Sequence, residues 1–207
     1  MEIIGKDEKS PIHGQHMATL REWGPEFEVN FQIKSRKEPD DSPRTKNVFR
    51  FTRFNSIFDN PESGSYIPVM WTQGKPDPES ISIGTSLDND LMTWEIMNGK
   101  IIVDKWYNVS MRQYMYEVNI FIMEKHFQSL DYHFQYYDSY RFYFFETFID
   151  NRMEIRQWNK HPQQFKYVFV YFGDKYYPAS TAQVRNFNAC QGNHTIIIIK
   201  SDCQPMH

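Results

Sequence analysis

The stretch FGDKYYPASTAQVRNF, Phe172 to Phe187, follows directly on the alternating run QFKYVFVYF. It sets an aspartate, two tyrosines and an arginine close together. Asp174 and Arg185 can bond hydroxyl groups, and Tyr176 and Tyr177 offer ring faces for stacking. Trp71, in YIPVMWT, is a further ring of the same kind. These five residues are the candidate ligand set. The same loop also reads as a plain corner. Gly173 accepts a positive φ, Asp174 can close a turn with its own carboxylate, and Pro178 cannot donate to a ladder.

A second chemistry is calcium binding, which needs several oxygens gathered at one loop rim. SLDNDLM places Asp88, Asn89 and Asp90 in consecutive positions, and Asp174 is a third acidic candidate. The bland reading is a polar turn. Calcium is the cofactor to test.

Hydrolytic chemistry finds little support. A retaining glucanase needs two carboxylates about 5 to 5.5 Å apart on one strand. The nearest acidic pairs are Glu26/Glu28 and Glu146/Asp150. The first pair alternates with Phe27, Val29 and Phe31, which suits a polar outer face. No Gly-x-Ser-x-Gly elbow is present. The seven histidines form no H-x-x-x-H or H-x-H pair. The expectation is that the protein is not an enzyme.

Cys190 and Cys203 flank the apolar run Thr195 to Ile199. They are either two thiols or a disulfide, which would stabilise the fold by about 3 kcal/mol in the chain-entropy model. Asn108-Val-Ser and Asn193-His-Thr are N-glycosylation acceptors.

The elements that must position these groups are strands. EFEVNFQI sets Phe27, Val29, Phe31 and Ile33 against Glu28, Asn30 and Gln32. KNVFRFTRF, YIPVMWT, SISIGTS, YMYEVNIFIM and QFKYVFVYF read as further strands. In the last, Phe165, Tyr167, Phe169 and Tyr171 are expected to oppose Lys166, Val168, Val170 and Phe172. Asn98-Gly99 predicts a hairpin within TWEIMNGKIIVDKWYNVSMRQ, since both residues tolerate positive φ. Another turn is expected near Asp150-Asn151. Eleven or twelve short strands at such spacing predict an all-β, two-sheet antiparallel sandwich in one domain over 1–207, with its core at about 22–200.

The chain has 207 residues, 17% aromatic content and a formal charge of −3. That charge draws neither nucleic acid nor an anionic membrane. No apolar run reaches the roughly 18 to 20 residues of a membrane span. The start, MEIIGKDEKSPIHGQH, lacks the basic and apolar regions of a signal peptide.

REWGPEFEVNFQI, NVFRFT, YIPVMWT, DKWYNVSMRQ and KHPQQFKYVFVYFGDKYYPASTAQVRNF occur in that order. Together they resemble the laminin-G-like, concanavalin A-like jelly-roll domains of secreted and surface proteins of invertebrates. The ending is the most specific piece. The resemblance implies a jelly roll that is secreted or extracellular. It implies a lectin-like module that binds glycan or an extracellular protein at its loop rim. The alternative is a self-associating, homo-oligomeric building block of a matrix or filament, which the excess of Tyr and Phe also suits. Residues 123–140 exceed the family pattern. They are either an aromatic binding patch or an extra strand or flap.

Overall fold

Phe27, Val29, Phe31 and Ile33 are buried, while Glu28, Asn30 and Gln32 point the other way, as the pleat demands. The same rhythm builds the whole molecule. The computed structural model describes residues 2–36, 45–53, 67–73, 80–85, 93–96, 101–125, 132–173 and 176–192. Within them run β1 (Glu2–Ile4), β2 (His16–Trp23), β3 (Phe27–Lys34), β4 (Thr45–Thr52), β5 (Val69–Gln73) and β6 (Ser80–Thr85). They continue with β7 (Thr93–Ile96), β8 (Trp106–Lys125), β9 (Tyr132–Ile149), β10 (Arg152–Asn159), β11 (Phe165–Tyr171) and β12 (Gln183–Gln191). The described residues contain no helix.

The strands form two antiparallel sheets of a jelly-roll sandwich. The first has the order β1-β12-β3-β8-β9-β10 and the second β2-β11-β4-β5-β6-β7. Aromatic rings lock them face to face. Phe49 of β4 meets Phe31 of β3 at 5.4 Å and Phe187 of β12 at 5.0 Å. Trp23 of β2 meets Phe51 of β4 at 4.9 Å and Phe27 of β3 at 5.1 Å. Each such contact adds to the burial of large apolar area.

Three expectations about the strands need correction. In β11, Phe165, Val168 and Val170 are all buried, whereas Tyr167 is 65% exposed. Register with β2 is unbroken there, Lys166 opposing Glu22 and Val168 opposing Leu20, and the alternation slips because Tyr167 takes φ 55, a left-handed backbone.

The expected hairpin around Asn98-Gly99 is not formed by the described residues. β7 pairs with β6 in the second sheet, and β8 lies between β3 and β9 in the first. The chain changes sheets here. Ile101 is buried in the core, and a turn places Asp104 N on Ser35 O at 2.9 Å. Asn98 and Gly99 themselves lie outside the described residues.

The described part of 123–140 is not a separate strand. It continues β8 and β9, which pair from Val109↔Ile149 to Lys125↔Tyr132 with one bulge. β3 accompanies β8 only as far as Gln113, and β10 accompanies β9 only from Tyr143. The hairpin therefore runs on past its sheet as a two-stranded ribbon.

By contrast, the turn at Asp150-Asn151 joins β9 and β10 as expected. Both residues take positive φ, 46 and 65, which matches the twist of a tight hairpin. The apolar run Thr195 to Ile199 lies outside the described residues.

Candidate functional site

The GDKYYPA segment is a corner tied down on three sides. Gly173 has φ +83, and a Cβ there would lie 2.5 Å from Ile12 O. Its N–H donates to Val48 O at 2.9 Å, and its carbonyl accepts from Gly14 N at 2.8 Å. Beyond it the chain runs beside β4, where Asn47 and Ala179 form a parallel bridge, and the side chains of Tyr177 and Ser180 reach Trp71 and Thr72 of β5. Asn47 N donates to Pro178 O, and Ser180 N donates to Asn47 O, each at 2.9 Å.

Tyr177 packs edge-on against Trp71 at 6.0 Å, and the Arg50 guanidinium lies 4.5 Å from the Tyr176 ring centroid. Trp71 is 5% exposed. Gly84 makes room for it, since a Cβ there would come within 2.9 Å of the indole. Burial, with Tyr176 nearby, raises the Tyr171 hydroxyl pKa in spite of Arg50. Trp71, Tyr176 and Tyr177 are thus brought together, but Trp71 is sealed beneath the corner. Asp174, Asp88 and Asp90 lie outside the described residues. The described residues contain no group of three or more His, Cys, Asp or Glu able to hold a metal ion.

Arg185 goes to the other sheet, and there it joins a site of a different kind. The outer face of the first sheet carries a hollow of about 400 Å³ over β12, β3 and β8. Six carboxamides line it: Asn30, Gln32, Asn108, Asn151, Asn186 and Asn188. Ser110 and Phe148 complete its polar wall and ring floor.

Register explains the gathering. Asn30 opposes Ser110 on one side and Asn188 on the other, and Gln32 opposes Asn108 and Arg185. A bulge between Arg185 and Asn188 gives Asn186 φ 52 and turns it toward the hollow. Asn tolerates that conformation better than most residues.

The amides are oriented by their two ends. Asp150 can only accept, and Arg185 can only donate. Asn108 donates its Nδ2 and its backbone N–H to Asp150 Oδ1 at 3.1 and 2.9 Å. Its Oδ1 is then left to accept from Gln32 Nε2 at 2.8 Å. Gln32 Oε1 in turn accepts from Arg185 Nε at 2.7 Å and Asn186 Nδ2 at 3.2 Å. A donor-only group and an acceptor-only group therefore fix the flip of every amide between them. Asn188 Nδ2 donates to Asn186 O at 3.0 Å, leaving its Oδ1 toward the hollow. The carboxamides of Asn30 and Asn151 make no side-chain hydrogen bond among the described residues and face the hollow as both donor and acceptor.

At one end of the hollow Arg185 and Lys34 bracket Trp106, at 4.2 and 4.7 Å from its ring centroid. At the other end lies a charged row. Glu146 is almost wholly buried and holds Arg112 through Nε and Nη2 at 3.1 and 2.9 Å. It also binds Arg156 Nε at 3.2 Å and accepts from the Tyr114 hydroxyl at 2.8 Å. Burial, and then this bond to a carboxylate, push the Tyr114 hydroxyl up to about 12. Glu146 is fully engaged by these groups.

The hollow was missed in the sequence, although a signal existed. Asn30/Gln32, Asn108/Ser110 and Asn186/Asn188 are i, i+2 pairs of uncharged polar residues on predicted strands or their ends. Exposed strand faces more often carry Lys, Glu or Thr. Asn108 was read only as a glycosylation acceptor. It is exposed and lies in mid-strand within the hollow. Asn193, the other acceptor, lies outside the described residues. Cys190 is disulfide-bonded. The chain's other cysteine, Cys203, lies outside the described residues.

No protein-family model matches the chain, and no curated protein matches it significantly, so the laminin-G-like motifs stand as a likeness. Among solved structures, the chain is similar to a native heptameric SAP-like pentraxin from Limulus polyphemus at 10% identity and TM-score 0.48. That match covers 91% of this chain and 73% of the pentraxin. The carbohydrate-binding module CBM66 from Bacillus subtilis matches at 9% identity and TM-score 0.41, over 91% of this chain and 98% of the module. The ligand-binding domain of botulinum neurotoxin serotype D, solved with N-acetylneuraminic acid, matches at 12% identity and TM-score 0.47. It is covered over 39% of its own length and 94% of this chain. No side chain of the hollow is carried over from likeness at this level.

Proposed function

We propose that the protein is a non-enzymatic glycan-recognition module whose site is the amide-lined hollow on the outer face of the first sheet. The observation that carries this reading is the set of six carboxamides around one hollow, two of which, Asn108 and Gln32, are oriented between Asp150 and Arg185. Sugars present many hydroxyls that both donate and accept, and carboxamides answer both roles without charge. Phe148 supplies a ring for an apolar sugar face. Pre-oriented groups lose little freedom on binding. The disulfide-bonded Cys190 supports a secreted or extracellular setting, where such bonds persist.

A glycan array probed with the purified chain tests the reading. Wild-type protein is expected to give discrete signals, and the Asn30→Ala/Asn188→Ala variant to lose them while keeping its circular dichroism spectrum. The hollow's lining holds no carboxylate, so the signals are expected to be equal in calcium and in chelator. A flat array with wild-type protein in both conditions would overturn the proposal.

A further inference from the structure

The same sheet face carries a second feature beyond the hollow. Across β8, β9 and β10, Tyr114, Phe144 and Trp158 stand in one row, and Tyr116 and Phe142 in the next. Tyr116 is 47% exposed and Trp158 46%. The rings brace one another: Trp158 meets Phe142 at 5.1 Å and Phe144 at 6.5 Å, and Tyr116 meets Phe144 at 5.9 Å. Arg156 lies 4.4 Å from the Phe144 centroid. This is a stiff platform of rings edged by guanidinium groups.

The platform is continuous with the hollow. Arg112 lies 4.6 Å from the ring of Phe148, in the hollow, and 5.2 Å from the ring of Tyr114, in the platform. Glu146 holds that arginine from below by two hydrogen bonds. From Ser110 to Tyr114 is four residues along β8, and from β8 to β10 is two strand spacings. At about 3.3 Å per residue and about 4.8 Å per strand, the centres of hollow and platform lie roughly 16 Å apart. No single sugar ring reaches across that distance.

We propose that hollow and platform are two subsites for one linear glycan, with the chain crossing the Arg112–Glu146–Arg156 row between them. This rests on the glycan reading of the hollow. The ligand is then an internal segment of a polysaccharide rather than one terminal sugar. Its first ring is bonded by the amides, and a later ring stacks on Trp158 and Tyr116.

Titration calorimetry with homologous series tests this. Mono-, di-, tetra- and hexasaccharides of β-linked glucose, N-acetylglucosamine and xylose are the probes, used with wild-type protein and with Trp158→Ala and Tyr116→Ala. For the series that binds, affinity is expected to rise about tenfold or more between di- and hexasaccharide. Either ring variant is expected to remove that rise and leave disaccharide affinity unchanged, with an unaltered melting temperature. Trp158→Phe is expected to restore most of it. Equal affinity at all lengths, or a rise that both variants keep, overturns the two-subsite proposal and leaves the hollow standing. So does a change in sedimentation with no change in binding, which would assign the platform to self-association. Binding of no series, with the array also flat, removes the glycan reading itself.

Discussion

The two outer faces of the sandwich are built to opposite ends. On the second sheet, the chain that leaves β11 bonds beside β4, and its Tyr177 and Ser180 side chains cover Trp71 and Thr72 of β5. Trp71, Asn47 and Lys46 are buried there, and the corner's backbone is hydrogen-bonded to the strand beneath. On the first sheet, β3, β8 and β12 are left open, and the outward residues that line the hollow there are amides, a hydroxyl and the ring of Phe148. One face uses its aromatic and polar residues to fasten a loop. The other holds similar residues in fixed orientations with their ends exposed. The residue types alone do not distinguish the two; coverage by other chain segments does.

Substitutions can break this contrast, and the largest effect is expected on the covered face. Gly173→Ala must place a Cβ 2.5 Å from Ile12 O at a positive φ. It is expected to cost about 3 kcal/mol, seen as a lower denaturant midpoint with little change in slope. Gly84→Ala presses on Trp71 and is expected to cost about 1 to 3 kcal/mol. If either variant keeps wild-type stability, the corner is not the rigid fastening described.

On the open face the expectation reverses. Gln32→Ala interrupts the amide chain between Arg185 and Asn108. It is expected to weaken glycan binding about tenfold, with a stability change of no more than about 0.5 kcal/mol. A large stability loss with intact binding would make this face structural as well.

The smallest effect is at high pH. Tyr114 has its hydroxyl pKa raised to about 12. The neutral phenol therefore favours the folded state fully below about pH 10, its usual value. That contribution declines as the pH rises from 10 to about 12. Tyr114→Phe is expected to flatten this part of the stability profile, read by urea unfolding across the range.

Much of the architecture was legible from residue order. β3 needed only its alternation, the β9–β10 turn only Asp150-Asn151, and the corner only Gly173. What failed has physical causes. The positive φ at Tyr167 is invisible to a period count, yet it exchanges which side chains face the core. Asn-Gly marks a turn wherever the chain reverses, and it cannot say whether the next strand joins the same sheet. The continuous β8–β9 hairpin was split because its tyrosine-rich arm shows no clean period. The hollow was the hardest to see. Asn30, Asn108, Asn151 and Asn186 are far apart in sequence and meet only because β12, β3 and β8 are neighbours. Of the five candidate ligand residues, Arg185 was placed beside the hollow, Trp71 and the tyrosines on the opposite sheet, and Asp174 lies outside the described residues.

The Asn108-Val-Ser acceptor stands inside the hollow, with Asn108 Nδ2 bonded to Asp150. An enzyme-attached sugar tree at that nitrogen would displace a hydrogen of the amide chain and crowd the hollow. The decorated and bare forms would then be two different reagents: one self-capped, the other receptive. Protein secreted from insect cells and protein refolded from bacteria should be compared side by side before a silent binding assay from either is believed.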